Sequence, residues 1–156
     1  MTHWAALSRH MKAERRMPFY PDLTDYEYAR NTLPRSSSGE SSRYLNVGWL
    51  GREITFPTGT TDPATGHVLI RLATEPVNVF RGFHYCEFCD AESPIRVRIP
   101  ELPGTVASLG TGEIHVPGEN GVIYVAPTLI IHYMESHAYL PPQEFVDAAL
   151  ALGGHH

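Results

Sequence analysis

Arg81-Gly82-Phe83-His84-Tyr85-Cys86-Glu87-Phe88-Cys89-Asp90 holds both cysteines of the chain, in a Cys-x-x-Cys beside a histidine. Downstream, His132-Tyr133-Met134-Glu135-Ser136-His137 brings two more imidazoles. The simplest chemistry joining the two stretches is one tetrahedral Zn2+ held by Cys86, Cys89, His132 and His137. A Cys-x-x-Cys turn converges two thiolates and aims backbone N–H groups at the sulfurs, and His-x-x-x-x-His falls within Cys2His2 ligand spacing. On a regular helix each residue turns about 100°, so residues at that spacing point well apart. The pair therefore meets at one ion only if the helix loosens or ends near Ser136, and Ala138-Tyr139-Leu140-Pro141-Pro142 predicts such a break. Failing that, His84 or His115 replaces one of them. Beside the knuckle His84 reads as a packing or supporting residue, and His115 as a solvated one on the polar face of its strand.

Other chemistries remain open for the same residues. With water in a fourth position the zinc would be catalytic, a hydrolase or lyase centre with Glu87 or Glu135 as base; Glu113 is also in reach by sequence. Without a metal, Cys86 and Cys89 are a redox pair or two buried thiols. Thioredoxin-like motifs open a helix, whereas Asp90-Ala91-Glu92-Ser93-Pro94 reads as loop. The base-deaminase pattern needs His-x-Glu before its cysteines, and here the cysteines come first. No His-Glu-x-x-His, Gly-x-Ser-x-Gly or phosphate-binding glycine loop is present.

Outward from the knuckle the short strands are grouped between helices rather than strictly alternating with them. Residues 77–80 read as a strand delivering the chain to Cys86, and zinc would tie its end to the later helix. Ile95-Arg96-Val97-Arg98-Ile99 alternates apolar and basic, the mark of a half-buried strand. Residues 112–116 and 122–125 flank Pro117-Gly118-Glu119-Asn120-Gly121 as a hairpin. Pro127 is expected to open a helix carrying Leu129, Ile130, Tyr133 and Met134, and Pro141-Pro142 another with Phe145, Val146, Ala149 and Leu150 inside. Asp62-Pro63 starts a helix with Val68, Leu69 and Leu72 on one face. Residues 45–50 read as a strand, residues 4–16 as a short helix or frayed tail, and the Ser-rich residues 33–43 as a mobile loop. The expected fold is α+β, a small and mainly antiparallel sheet with three or four helices.

At 156 residues the chain suits one domain. Residues 1–16 read as a basic extension, 17–152 as the domain, and 153–156 as a tail resembling a tag remnant. A net charge of -5 speaks against nucleic acid as a partner, although residues 1–17 carry +3. No apolar run reaches membrane-spanning length. A secretory signal is not evident, so the cytoplasm is the expected compartment. Trp49, Tyr139 and the Arg96/Arg98 face are the candidate surfaces for a protein partner.

Four stretches resemble an uncharacterised family of small bacterial proteins, a domain of unknown function. They are Tyr-x-Asp-Leu-x-x-Tyr at 20–26, Leu-Asn-Val-Gly-Trp-Leu at 45–50 and Gly-x-His-x-Cys-Glu-x-Cys at 82–89. The fourth is Tyr-x-Ala-Pro-x-Leu-Ile-x-His-Tyr-x-x-x-His-x-Tyr-x-Pro-Pro-x-Glu-Phe at 124–145. The resemblance implies that Cys86, Cys89, His132 and His137 belong to one site and that residues 1–16 lie outside the domain. It supplies no activity. The leading expectation is a non-enzymatic interaction or regulatory module stapled by structural zinc.

Overall fold

A run of β-branched and aromatic residues, Val122-Ile123-Tyr124-Val125, builds the central strand of the computed structural model, which describes residues 19–26, 42–79, 83–99 and 101–154. This strand, β5 (Val122–Pro127), pairs antiparallel with β4 (Glu113–Pro117), placing Ile114 opposite Ala126 and Val116 opposite Tyr124. On its other edge it pairs parallel with β1 (Arg43–Asn46), Leu45 opposite Tyr124. A separate antiparallel ladder joins β2 (Ile95–Arg98) to β3 (Val106–Leu109). Its alternation is the predicted one, with Arg96 and Arg98 outward. The fold is α+β with mostly antiparallel pairing, as expected. The parallel β1–β5 pair is a long-range contact that no local pattern announces.

Three helices complete the described residues: α1 (Pro63–Ala73), α2 (Ile130–His137) and α3 (Gln143–Gly153). Asp62 Oδ1 accepts from the Ala64 N–H at 2.9 Å and Pro63 takes the first turn, so α1 starts where the sequence placed it. Its buried face, Thr65, Val68, Leu69 and Ala73, packs against α3 and against β3 and β4. From α3, Phe145, Val146 and Ala149 turn inward onto the same core.

Several local expectations are corrected. Of the strand expected at 77–80, the described residues 77–79 form none: Val77 exchanges both backbone hydrogen bonds with Glu113 at 2.8 Å as an isolated bridge. Asn78 then turns to φ 49° and Val79 is 62% exposed, so the extended path ends there; Phe80 lies outside the described residues. Pro127 closes β5 rather than opening a helix, and α2 begins at Ile130. Of residues 45–50 only the first two belong to β1, because Gly48 takes φ 78°. A Cβ there would stand 2.8 Å from the Ile130 side chain, so glycine also lets α2 approach. Trp49, at 4% exposure, and Tyr139, at 0%, are core residues rather than contact surfaces. Trp49 donates its indole N–H to the Val125 carbonyl at 2.8 Å. The expected helix at 4–16 lies outside the described residues, as does nearly all of the Ser-rich loop. No helix of the described residues is long and apolar enough to cross a membrane.

Candidate metal centre

The cysteine turn is carried by a loop, anchored where the His84 N–H donates to the Gly110 carbonyl at 2.9 Å. Gly110 sits just after β3 at φ 104°, and a Cβ there would come within 2.8 Å of the His84 carbonyl oxygen. Only glycine permits that approach. Within the turn, the Phe88 N–H donates to Cys86 Sγ at 3.4 Å, as a Cys-x-x-Cys knuckle requires.

The imidazoles arrive on α2. Its end is wound wider than a regular α-helix: the Ala138 and Tyr139 N–H groups both reach back to the Tyr133 carbonyl, beyond the usual four-residue step. Ala138 takes the left-handed conformation at φ 53° and stops the helix at His137. A wider turn rotates less per residue, which swings His137 round toward His132; their ring centroids lie 5.1 Å apart. The loosening on which the pair depended is therefore present, one residue beyond Ser136.

Cys86, Cys89, His132 and His137 each offer one donor atom, and these all lie within 4.8 Å of one another. Cys86 Sγ is 3.3 Å from His137 Nε2, and Cys89 Sγ is 3.3 Å from His132 Nε2. Tetrahedral zinc, with bonds of about 2.3 Å to sulfur and about 2.1 Å to nitrogen, sets its donors roughly 3.4–3.8 Å apart. The cluster is thus close to the size of one such ion, and two thiols with two imidazoles are a donor set that such an ion takes. Four side chains here could hold a metal.

Burial shapes their protonation. It pushes the Cys86 thiol up to about 11, the Phe88 N–H offsetting only part of the effect and Cys89 adding to it. Burial, with His137 nearby, lowers His132, so the imidazole is held in the neutral form that ligates. Around the cluster Phe88 packs edge-on against Phe56 and Tyr133 and tilts against His137 at 5.5 Å.

His84 and His115 are not in the cluster. Burial lowers His84. The solvated reading of His115 is corrected: its side chain is 16% exposed and Nε2 lies 3.1 Å from Glu113 Oε1. The carboxylates named as candidate bases are not there either. Glu135 is exposed, and Glu87 is half-buried with its carbonyl accepting from Arg52 Nε at 3.3 Å. Clefts of about 600, 480 and 400 Å3 are lined by none of the four donors, although the last runs along α2 past Ile131, Met134 and Glu135.

Sequence reasoning missed a second polar centre. Glu113 is 4% exposed, and its carboxylate accepts from the Tyr26 hydroxyl and from Asn78 Nδ2 at 2.8 Å, with His115 as the third neighbour. The signal was the Glu113-Ile114-His115 spacing, which puts both polar residues on one face of a strand. What the sequence did not say is that this face is covered.

A family model described as a domain of unknown function (DUF7919) matches residues 18–150. No curated protein and no solved structure matches the chain.

Proposed function

We propose that this chain, which belongs to the DUF7919 family, is a small zinc-binding domain whose metal is structural and which serves as an interaction or regulatory module. The observation that carries the reading is the convergence of two thiols and two imidazoles, without a carboxylate, within 4.8 Å. Cys86 and Cys89 would bind as thiolates and His132 and His137 as neutral imidazoles, closing the coordination sphere with protein donors. The ion would fasten the cysteine loop to the end of α2, two segments otherwise joined by ring packing. The absence of a carboxylate from the donor group, and of the four donors from the lining of the three clefts, favours this closed site over a hydrolytic one with bound water. A zinc content near one equivalent would exclude the alternative in which Cys86 and Cys89 are a redox pair. Thiols kept as ligands suit the reducing cytoplasm, where a bacterial member of this family would work.

The test is metal content by mass spectrometry with thermal melting before and after chelation. One equivalent of zinc is expected, and its removal should lower Tm by more than about 10 °C, since structural zinc supplies on the order of 10 kcal/mol in small domains. Unchanged melting after verified removal would sink the structural role. A zinc-bound solvent ligand seen by X-ray absorption would point instead to catalysis.

A further inference from the structure

Between the β4–β5 hairpin and α3 lies a cleft of about 600 Å3, within the size range of small-ligand sites. Its lining combines apolar side chains, Val122, Ala148 and Leu152, with three carboxylates, Glu119, Glu144 and Asp147. Neither Glu119 nor Glu144 forms an ion pair with another described residue. Asp147 accepts one hydrogen bond, from Gln143 Nε2 at 2.8 Å. Such acidity alone would mark only a solvated surface.

Tyr124 changes that reading. It lines the same cleft, is 6% exposed, and makes no hydrogen bond to any described residue through its hydroxyl. Its ring is held edge-on by Phe145, centroids 5.9 Å apart at 89°. The hydroxyl-bearing end lies against Gly118, another lining residue. Burial raises its phenol, and the charges of Glu144 and then Glu119 raise it further, so both carboxylates act on the same hydroxyl. The ring is rigid and buried, while its hydroxyl, unpaired with any described residue, opens on the acidic cleft where a ligand can reach it.

The carboxylates are too dispersed for a single ion: among the described residues, the Cys/His cluster alone brings three or more such donors together. Separated anions interspersed with apolar wall match a cation whose charges are themselves separated by methylenes. We propose that this cleft binds an aliphatic polyamine, its ammonium groups on Glu119, Glu144 and Asp147, its methylenes on Val122, Ala148 and Leu152. The Tyr124 hydroxyl accepts from one ammonium group. This assignment is independent of the metal centre.

The test is calorimetric titration of spermidine into the full metal-loaded chain at low ionic strength, with Mg2+ and a lysine-rich peptide as competitors. Saturable one-to-one binding is expected. Replacing Glu144→Gln together with Glu119→Gln, both exposed and with folding verified by circular dichroism, should weaken it about 10-fold or more, and Tyr124→Phe about 3- to 5-fold. Non-saturating binding, equal binding by the variants, or equally effective displacement by Mg2+ would overturn the site as a counter-ion cloud. A peptide that binds tighter than spermidine through the same residues would overturn the small-ligand assignment.

Discussion

Two polar centres in this molecule are built on opposite principles. Around Glu113 the groups are complementary: one buried carboxylate faces a phenol, an amide and an imidazole, and every partner is another side chain. Around Cys86 the four groups are alike, electron-pair donors aimed at one another, with sulfur and nitrogen 3.3 Å apart. The first centre is satisfied by the protein itself. The second has the donor set that a cation could complete. As neutral thiols and imidazoles the four can pair by S–H···N contacts, and with the thiols ionised they would need a cation between them.

Four measurements would break or sharpen that contrast. Cys86→Ser should have the largest effect, lowering zinc affinity by more than the roughly 10- to 100-fold typical of losing a residue that only supports a ligand. The parallel substitution Glu113→Ala should leave zinc content unchanged while costing about 2–4 kcal/mol in urea unfolding, because three donors lose their acceptor. Loss of zinc in Glu113→Ala would mean that the two centres are one cooperative unit.

A pH test probes a third polar contact, the Tyr139 hydroxyl donating to Asp22 Oδ2 at 2.8 Å. Burial, with the Asp22 charge behind it, raises the Tyr139 phenol well above its usual value. The folded state keeps that proton where the unfolded chain, near pH 10, has lost it. Its contribution is intact below about pH 10 and lost as pH rises further. Tyr139→Phe should therefore flatten the alkaline side of the stability curve; an unchanged slope would remove Tyr139 as its source. The smallest effect is expected at Ala138, whose left-handed backbone ends α2. Ala138→Gly should stabilise by about 0.5–1 kcal/mol with zinc affinity unaltered. A fall in affinity would show that the alanine methyl itself holds His137 in place.

Much of the site was legible in advance because its chemistry is carried by rare residue types. Two cysteines and a histidine pair leave few combinations, and the helix break before Pro141-Pro142 supplied the one geometric condition they needed. The fold was legible where a rule is local: the Asp62 cap, the Arg96/Arg98 alternation, the double proline before α3. It failed at residues 77–80, where an apolar run met a single bridge and a left-handed Asn78, and at Pro127, where a proline that suits a helix start ended a strand instead.

The sequence alone determined which groups are candidates to bind a metal, where the helices after Asp62 and after Pro141-Pro142 begin, and that strands and helices mix, because these follow from side-chain chemistry and from neighbours a few residues away. Tertiary structure decided that β1 lies parallel to β5, that Trp49 and Tyr139 are core, and that Glu113 and His115 share a covered face. Each of those depends on which distant segment comes to lie against a surface, and burial by a remote partner leaves no mark on local spacing.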